Sequence, residues 1–62
     1  MPIEHINYGY GVMLRHGDKD TFLGTHTFPI PISIGLTINV AGLVCIVIDI
    51  DDEDGFITAI PK

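Results

Sequence analysis

The chain has one cysteine, no tryptophan, and only three lysines and arginines against eight acidic residues. A lone thiol forms no internal disulfide. Domains of this length bury only about 60% of the surface exposed by the unfolded chain, and they commonly lean on disulfides, a metal or self-association. Cys45 sits in the apolar run "GLVCIVI", where a small buried hydrophobe is the ordinary role of cysteine. Secreted domains of this size carry many cysteines in even number, so a reducing, cytoplasmic location is expected. The shortage of basic residues leaves a net charge of −5, which opposes phosphate backbones, and direct nucleic-acid binding is not expected. Apolar runs fall well short of the roughly 18 residues of a membrane span, and no signal-like succession opens the chain, so no membrane association is expected either.

Helical periodicity is also missing. No window of eleven or more residues repeats apolar positions at helical spacing, whereas period-two alternation recurs from end to end. From Ile3 to His16 it places Ile6, Tyr8, Tyr10, Val12 and Leu14 on a core face, opposite His5, Asn7, Gly9, Gly11, Met13 and Arg15. Two glycines on one side of a strand permit a bend or a close backbone approach. "HGDKD" (16–20) reads as a hairpin loop. Thr21 to Phe28 alternates again, with Phe22, His26 and Phe28 in one phase. The prolines of "FPIPISIG" remove ladder donors and mark a connector or an edge.

Leu36 to Val40 forms the next strand, Ala41 and Gly42 a tight reversal, and Leu43 to Ile50 a strand apolar in both phases until Asp49, which predicts cover on both faces. "DDEDG" (51–55) is a charged turn, and "FITAI" (56–60) is the last strand. The sequence predicts one domain over residues 1–62, all-β, a small five-stranded antiparallel sheet or SH3-like barrel.

The segment "FPIPISIGLTINVAGLVCIVIDID" resembles a pattern in small bacterial and phage β-barrel proteins of unassigned function: a Pro-x-x-x-Gly corner, a strand, a Gly turn and a long valine-rich strand. The resemblance covers about half the chain. It implies an SH3-like or related small barrel, an architecture that hosts many unrelated functions, and it designates no active residue.

Candidate chemistry is sparse. In "DIDDEDGFIT", placing Gly55 at the glycine position of a calcium loop puts Asp52 and Asp54 at positions three and five, but Ile50 at one and Pro61 at twelve, so two key ligands fail. His5, His16 and His26 could approach one another in a meander, yet alternation separates His5 from the other two, and a shared metal site would need a bulge or a subunit interface. His26 alone reads as a hydrogen-bonded histidine of the core or rim. Ser33, the one serine, has no histidine nearby in sequence, and Cys45 lacks an activating environment, so no nucleophilic triad is visible. "GYG" (9–11) lies within a strand and does not open a helix, as a phosphate loop would. No cofactor, no metal and no enzymatic activity are expected.

The carboxylates of Asp49, Asp51, Asp52, Glu53 and Asp54 repel one another. Their concentration serves either to present negative charge to a basic protein partner or to keep an apolar strand from pairing edge to edge. Leu43, Cys45, Val47, Ile57 and Ala59 would form a second apolar face with no helix to cover it, the mark of an interface. The expected function is therefore a non-enzymatic interaction module that self-associates through its C-terminal hairpin and binds a protein through the acidic turn. A phage-encoded inhibitor of a host or defence protein is one form this could take. The alternatives are a small structural subunit of a larger particle, and a ligand- or metal-binding barrel that uses the histidines.

Overall fold

The computed structural model describes residues 8–62, so Ile3, Glu4, His5, Ile6 and Asn7 lie outside the described residues. Five strands run in order: β1 (Tyr8–His16), β2 (Lys19–Phe28), β3 (Thr37–Val40), β4 (Leu43–Asp51) and β5 (Phe56–Pro61). They form one curled sheet, a half-barrel, in the order β2-β1-β5-β4-β3. The all-β expectation therefore holds, with one correction. The sheet is mixed, because β5 pairs in parallel with β1, with Val12 opposite Ile57 and Leu14 opposite Ala59. The chain leaves β2 at one edge and enters β3 at the other. The β3–β4–β5 meander then works back inward, and its last strand arrives beside β1 in the same direction.

Local chemistry explains the turns. Residues 17–18 link a hairpin closed by the pair His16 and Lys19, and Gly17 at the first loop position has φ +61°, the place where a two-residue turn of this kind needs glycine. In the second hairpin Ala41 (φ +53°) and Gly42 (φ +82°) are both left-handed, the geometry of a type I′ turn, which alanine adopts at a cost. Gly55 N–H donates to the Asp51 carbonyl at 2.8 Å and Asp54 N–H to Asp51 Oδ1 at 3.2 Å, closing the acidic turn on itself. Gly11 N–H donates to the Gly55 carbonyl at 2.8 Å and locks that turn against β1.

The proline segment is a connector, as its missing donors predict, and it carries Ile32 into the core. Its far end joins the sheet: Gly35 N–H donates to the Val47 carbonyl, and Val47 N–H to the Leu36 carbonyl. The core comprises Val12, Leu14, Phe28, Ile32, Ile38, Val40, Cys45, Val47, Ile57 and Ala59, with Tyr10, Leu23, Leu36 and Ile50 packed on it. Each fully buried branched aliphatic side chain among these contributes about 1.5–3 kcal/mol relative to exposure.

This core overturns the expected interface. Cys45, Val47 and Ala59 are 0% exposed and Ile57 is 1% exposed within the single chain, while Leu43 alone of that set is open to solvent. Curling of the sheet and the crossing connector provide the cover that a helix would otherwise supply. Strand β4 is accordingly fully covered on its inner face only, with Val44 exposed and Ile46 half-buried on the other. No helix of the described residues is long and apolar enough to cross a membrane.

Candidate functional site

Two bulges decide what the outer face of the sheet carries. Along β2, Thr25 pairs with Gly11 but Phe22 pairs with Met13, so Leu23 and Gly24 together oppose Val12. Gly24 takes φ +91°. Such an extra residue resets the alternation beyond it. Phe22 therefore does not share the face of His26 and Phe28: it is exposed, Phe28 is buried, and Leu23 turns inward.

In β4, Val47 pairs with Ala59 and Asp49 with Thr58, which leaves Ile48 as the additional residue. Strict alternation from Val47 would turn Asp49 inward. The bulge instead sends Asp49 and Asp51 outward and returns Ile50 to the core.

The outcome is an open groove of about 370 Å³ on the outer face, lined by Met13 from β1, Asp49 and Asp51 from β4, and Phe56 and Thr58 from β5. Phe56 is fixed there by a glycine. A Cβ on Gly11 would lie 2.6 Å from two Phe56 ring atoms and 3.2 Å from Phe22, so the ring occupies the space that any other residue would fill. Phe22 meets Phe56 edge to face, with centroids 6.1 Å apart and planes at 65°, a geometry that adds about 0.5–1.5 kcal/mol beyond area burial.

Charge on this face is one-sided. Arg15, beyond Met13 on β1, gives Nε to Asp20 Oδ1 at 2.9 Å and Nη2 to Asp20 Oδ2 at 3.3 Å. That is the only ion pair among the described residues. The hydrogen bond from Arg15 holds the Asp20 carboxyl below its usual range, and the same bond raises Arg15, with a smaller contribution from Asp49. Asp49 Oδ1 accepts from Ile50 N–H at 3.0 Å, and Asp51 Oδ1 accepts from Asp54 N–H. Neither carboxylate has a cationic partner among the described residues.

The acidic set expected to bind a partner therefore divides. Asp49 and Asp51 line the groove, whereas Asp52 accepts a 3.3 Å hydrogen bond from the Tyr10 hydroxyl. Burial, then the charge of Asp52, raises Tyr10. Glu53 and Asp54 stand exposed at the turn. β3 covers β4 only as far as Val47, so the charges at residues 49 and 51 also guard a stretch of open strand edge.

His16 and His26 do not converge. His16 pairs with Lys19 and His26 with Tyr10, six residues apart along β1 and so roughly 20 Å at strand rise. His26 is half-buried with Nε2 3.0 Å from the Leu23 carbonyl, in the satisfied role expected of it. His5 lies outside the described residues, among which no group of three potential metal ligands occurs. Burial raises the Cys45 thiol, which keeps it protonated and unreactive.

Sequence reasoning missed Met13, Phe22, Phe56 and Thr58 as neighbours of the two aspartates. Gly24 inside a strand was the available sign of a bulge; β4 carries no comparable mark beside Ile48. No protein-family model matches the chain, and no curated protein or solved structure matches it.

Proposed function

We propose that this chain is a non-enzymatic interaction module that binds a basic region of a protein partner through its acidic β4–β5 end. One observation supports the reading above others: Asp49 and Asp51 flank the exposed Phe56 ring and the half-buried Met13, and among the described residues neither forms an ion pair. Depletion of positive charge around an apolar patch favours basic partners and speeds their encounter. Blocking a basic surface, as a small inhibitor would, is the simplest use of such a face.

Self-association is proposed in a revised form. The exposed residues of the β3–β4 hairpin, Leu43 at the open end of the inner face and Val44 on the outer face, are 45% and 46% exposed, and they replace the buried set as the contact between copies. Native mass spectrometry should then show a dimer that Val44→Asp converts to monomer. A wild-type monomer at all concentrations removes this part of the reading.

The partner-binding part is tested by probing an array of short peptides of graded charge with the labelled chain. Basic peptides should dominate the bound set, with signal falling as salt rises. Binding indifferent to peptide charge would sink the proposal.

A further inference from the structure

We infer that the outer-face groove is a receptor for an arginine side chain flanked by an apolar residue, presented by an extended segment of a partner protein. This rests on the reading of the acidic end as a binding surface and goes further by naming the side chain it takes. Three strands supply the walls, and the volume of about 370 Å³ lies at the small end of the ~300–1,000 Å³ typical of ligand sites. That is room for one or two side chains, not for a folded element.

Charge complementarity selects a cation. Asp49 and Asp51 are two residues apart on one strand and lie on the same outer face, which at strand rise sets them roughly 7 Å apart along it. Each has a lone pair already taken by a neighbouring backbone N–H, so each carboxylate is oriented before a ligand arrives and still has acceptor capacity. Arg15, two residues beyond Met13 on the same face of β1, is held by both oxygens of Asp20 and is thereby kept from filling the groove.

The aromatic component favours arginine over lysine. Phe56 lies over Gly11 with no space beneath it, so its ring is a fixed platform. A planar guanidinium stacks on such a ring while its fork donates to carboxylates at the side, whereas an ammonium is a compact and strongly hydrated point charge. Met13 offers an adaptable apolar contact to the neighbouring side chain.

The test is titration of the isotope-labelled whole chain, followed by two-dimensional NMR, with the peptide acetyl-Leu-Arg-Leu-amide. Its isosteric control carries neutral citrulline in place of arginine, and hexalysine serves as a pure polycation. The arginine peptide should shift Gly11, Met13, Phe56 and Thr58 and saturate. The citrulline peptide should bind about tenfold more weakly, the effect of losing about 1.4 kcal/mol.

Asp49→Asn with Asp51→Asn should reproduce that tenfold loss. Asparagine keeps the Oδ1 acceptor that the turn uses, and an unchanged spectrum elsewhere confirms the fold. Gly11→Ala, which displaces the Phe56 ring, should weaken the arginine peptide while leaving hexalysine unaffected. Equal binding of the arginine and citrulline peptides would overturn the proposal. So would hexalysine and the arginine peptide both shifting only residues 52–54, although the acidic-end reading would then survive. No response to either cationic probe would remove both.

Discussion

The two faces of this sheet are built from the same strands by alternate residues, and they tolerate change very differently. The inner face is a continuous aliphatic layer in which Val12, Val40, Cys45, Val47 and Ala59 have no exposure. The outer face carries a glycine under a phenylalanine, two carboxylates, a methionine and a threonine. The inner face holds the chain folded. The outer face was free to accumulate charge and aromatic surface because folding asks little of it, which is why a candidate site is found there.

The comparison is broken most sharply by placing one charge on each face of β4. Val47→Asp buries a carboxylate among aliphatic groups with no partner, a change of the class that costs more than about 3 kcal/mol, and a domain this small should lose its folded circular-dichroism spectrum. Val44→Asp, three residues away on the exposed side, should stay folded with a change of about 0.5 kcal/mol or less. Equal melting behaviour of the two variants would mean that the faces are assigned wrongly.

Deletions sharpen the role of the bulges. Removing Ile48 takes out the extra residue, leaving Val47 inward and Asp49 outward in regular pairing with Ala59 and Thr58. Removing Ile46 as well takes out one residue too many, and turns either the core residues or the carboxylates to the wrong face. Chemical denaturation should find the Ile48 deletion folded and the double deletion of Ile46 and Ile48 unfolded. Loss of folding in both would show that the bulge is needed for curvature as well as for phase.

The same bulges mark where the sequence stopped being readable. Alternation correctly identified the strands, the proline connector and the glycine turns, because those depend on local backbone chemistry. It placed Val12 and Leu14 inside, since β1 is the regular partner opposite the bulge in β2. It failed for Phe22, whose phase is reversed by the Leu23–Gly24 bulge, and for the relation of Asp49 and Asp51 to Met13, which depends on β1 and β5 lying side by side in parallel. That pairing joins residues more than forty positions apart and leaves no local trace. The expectation that Cys45, Val47, Ile57 and Ala59 face outward failed for a related reason. A half-barrel closes over its own inner face, and curvature is a property of the whole sheet.

A smaller effect distinguishes the two hairpins. Gly17 meets the demand of its turn without strain, whereas Ala41 holds φ +53° at a position with the same demand. Ala41→Gly should raise stability by about 1 kcal/mol, because the steric cost of a left-handed alanine is about 1–2 kcal/mol and glycine returns part of it in unfolded-chain entropy. The corresponding Gly17→Ala should destabilise. Thermal melts of the pair give the sign directly, and a neutral Ala41→Gly would show that this alanine is not strained.

The smallest expected effect lies at the far end of the outer face, in the pair Arg15 and Asp20. Asp20 is held below its ordinary value of 3.8 by the hydrogen bond from Arg15. A depressed carboxyl adds stability that is present above the unfolded value and disappears as pH falls through the lower folded value. Asp20→Asn removes that contribution, so its melting temperature should lie slightly below wild type near neutrality and meet the wild-type curve in acid, where both side chains are uncharged. Both partners are exposed, which keeps the gap small and sensitive to salt. The substitution also frees Arg15, whose guanidinium already feels Asp49, to turn toward the groove. If Asp20 serves chiefly to hold Arg15 aside, Asp20→Asn should weaken the arginine peptide more than it lowers the melting temperature. An unchanged affinity would confine the pair to its modest role in stability.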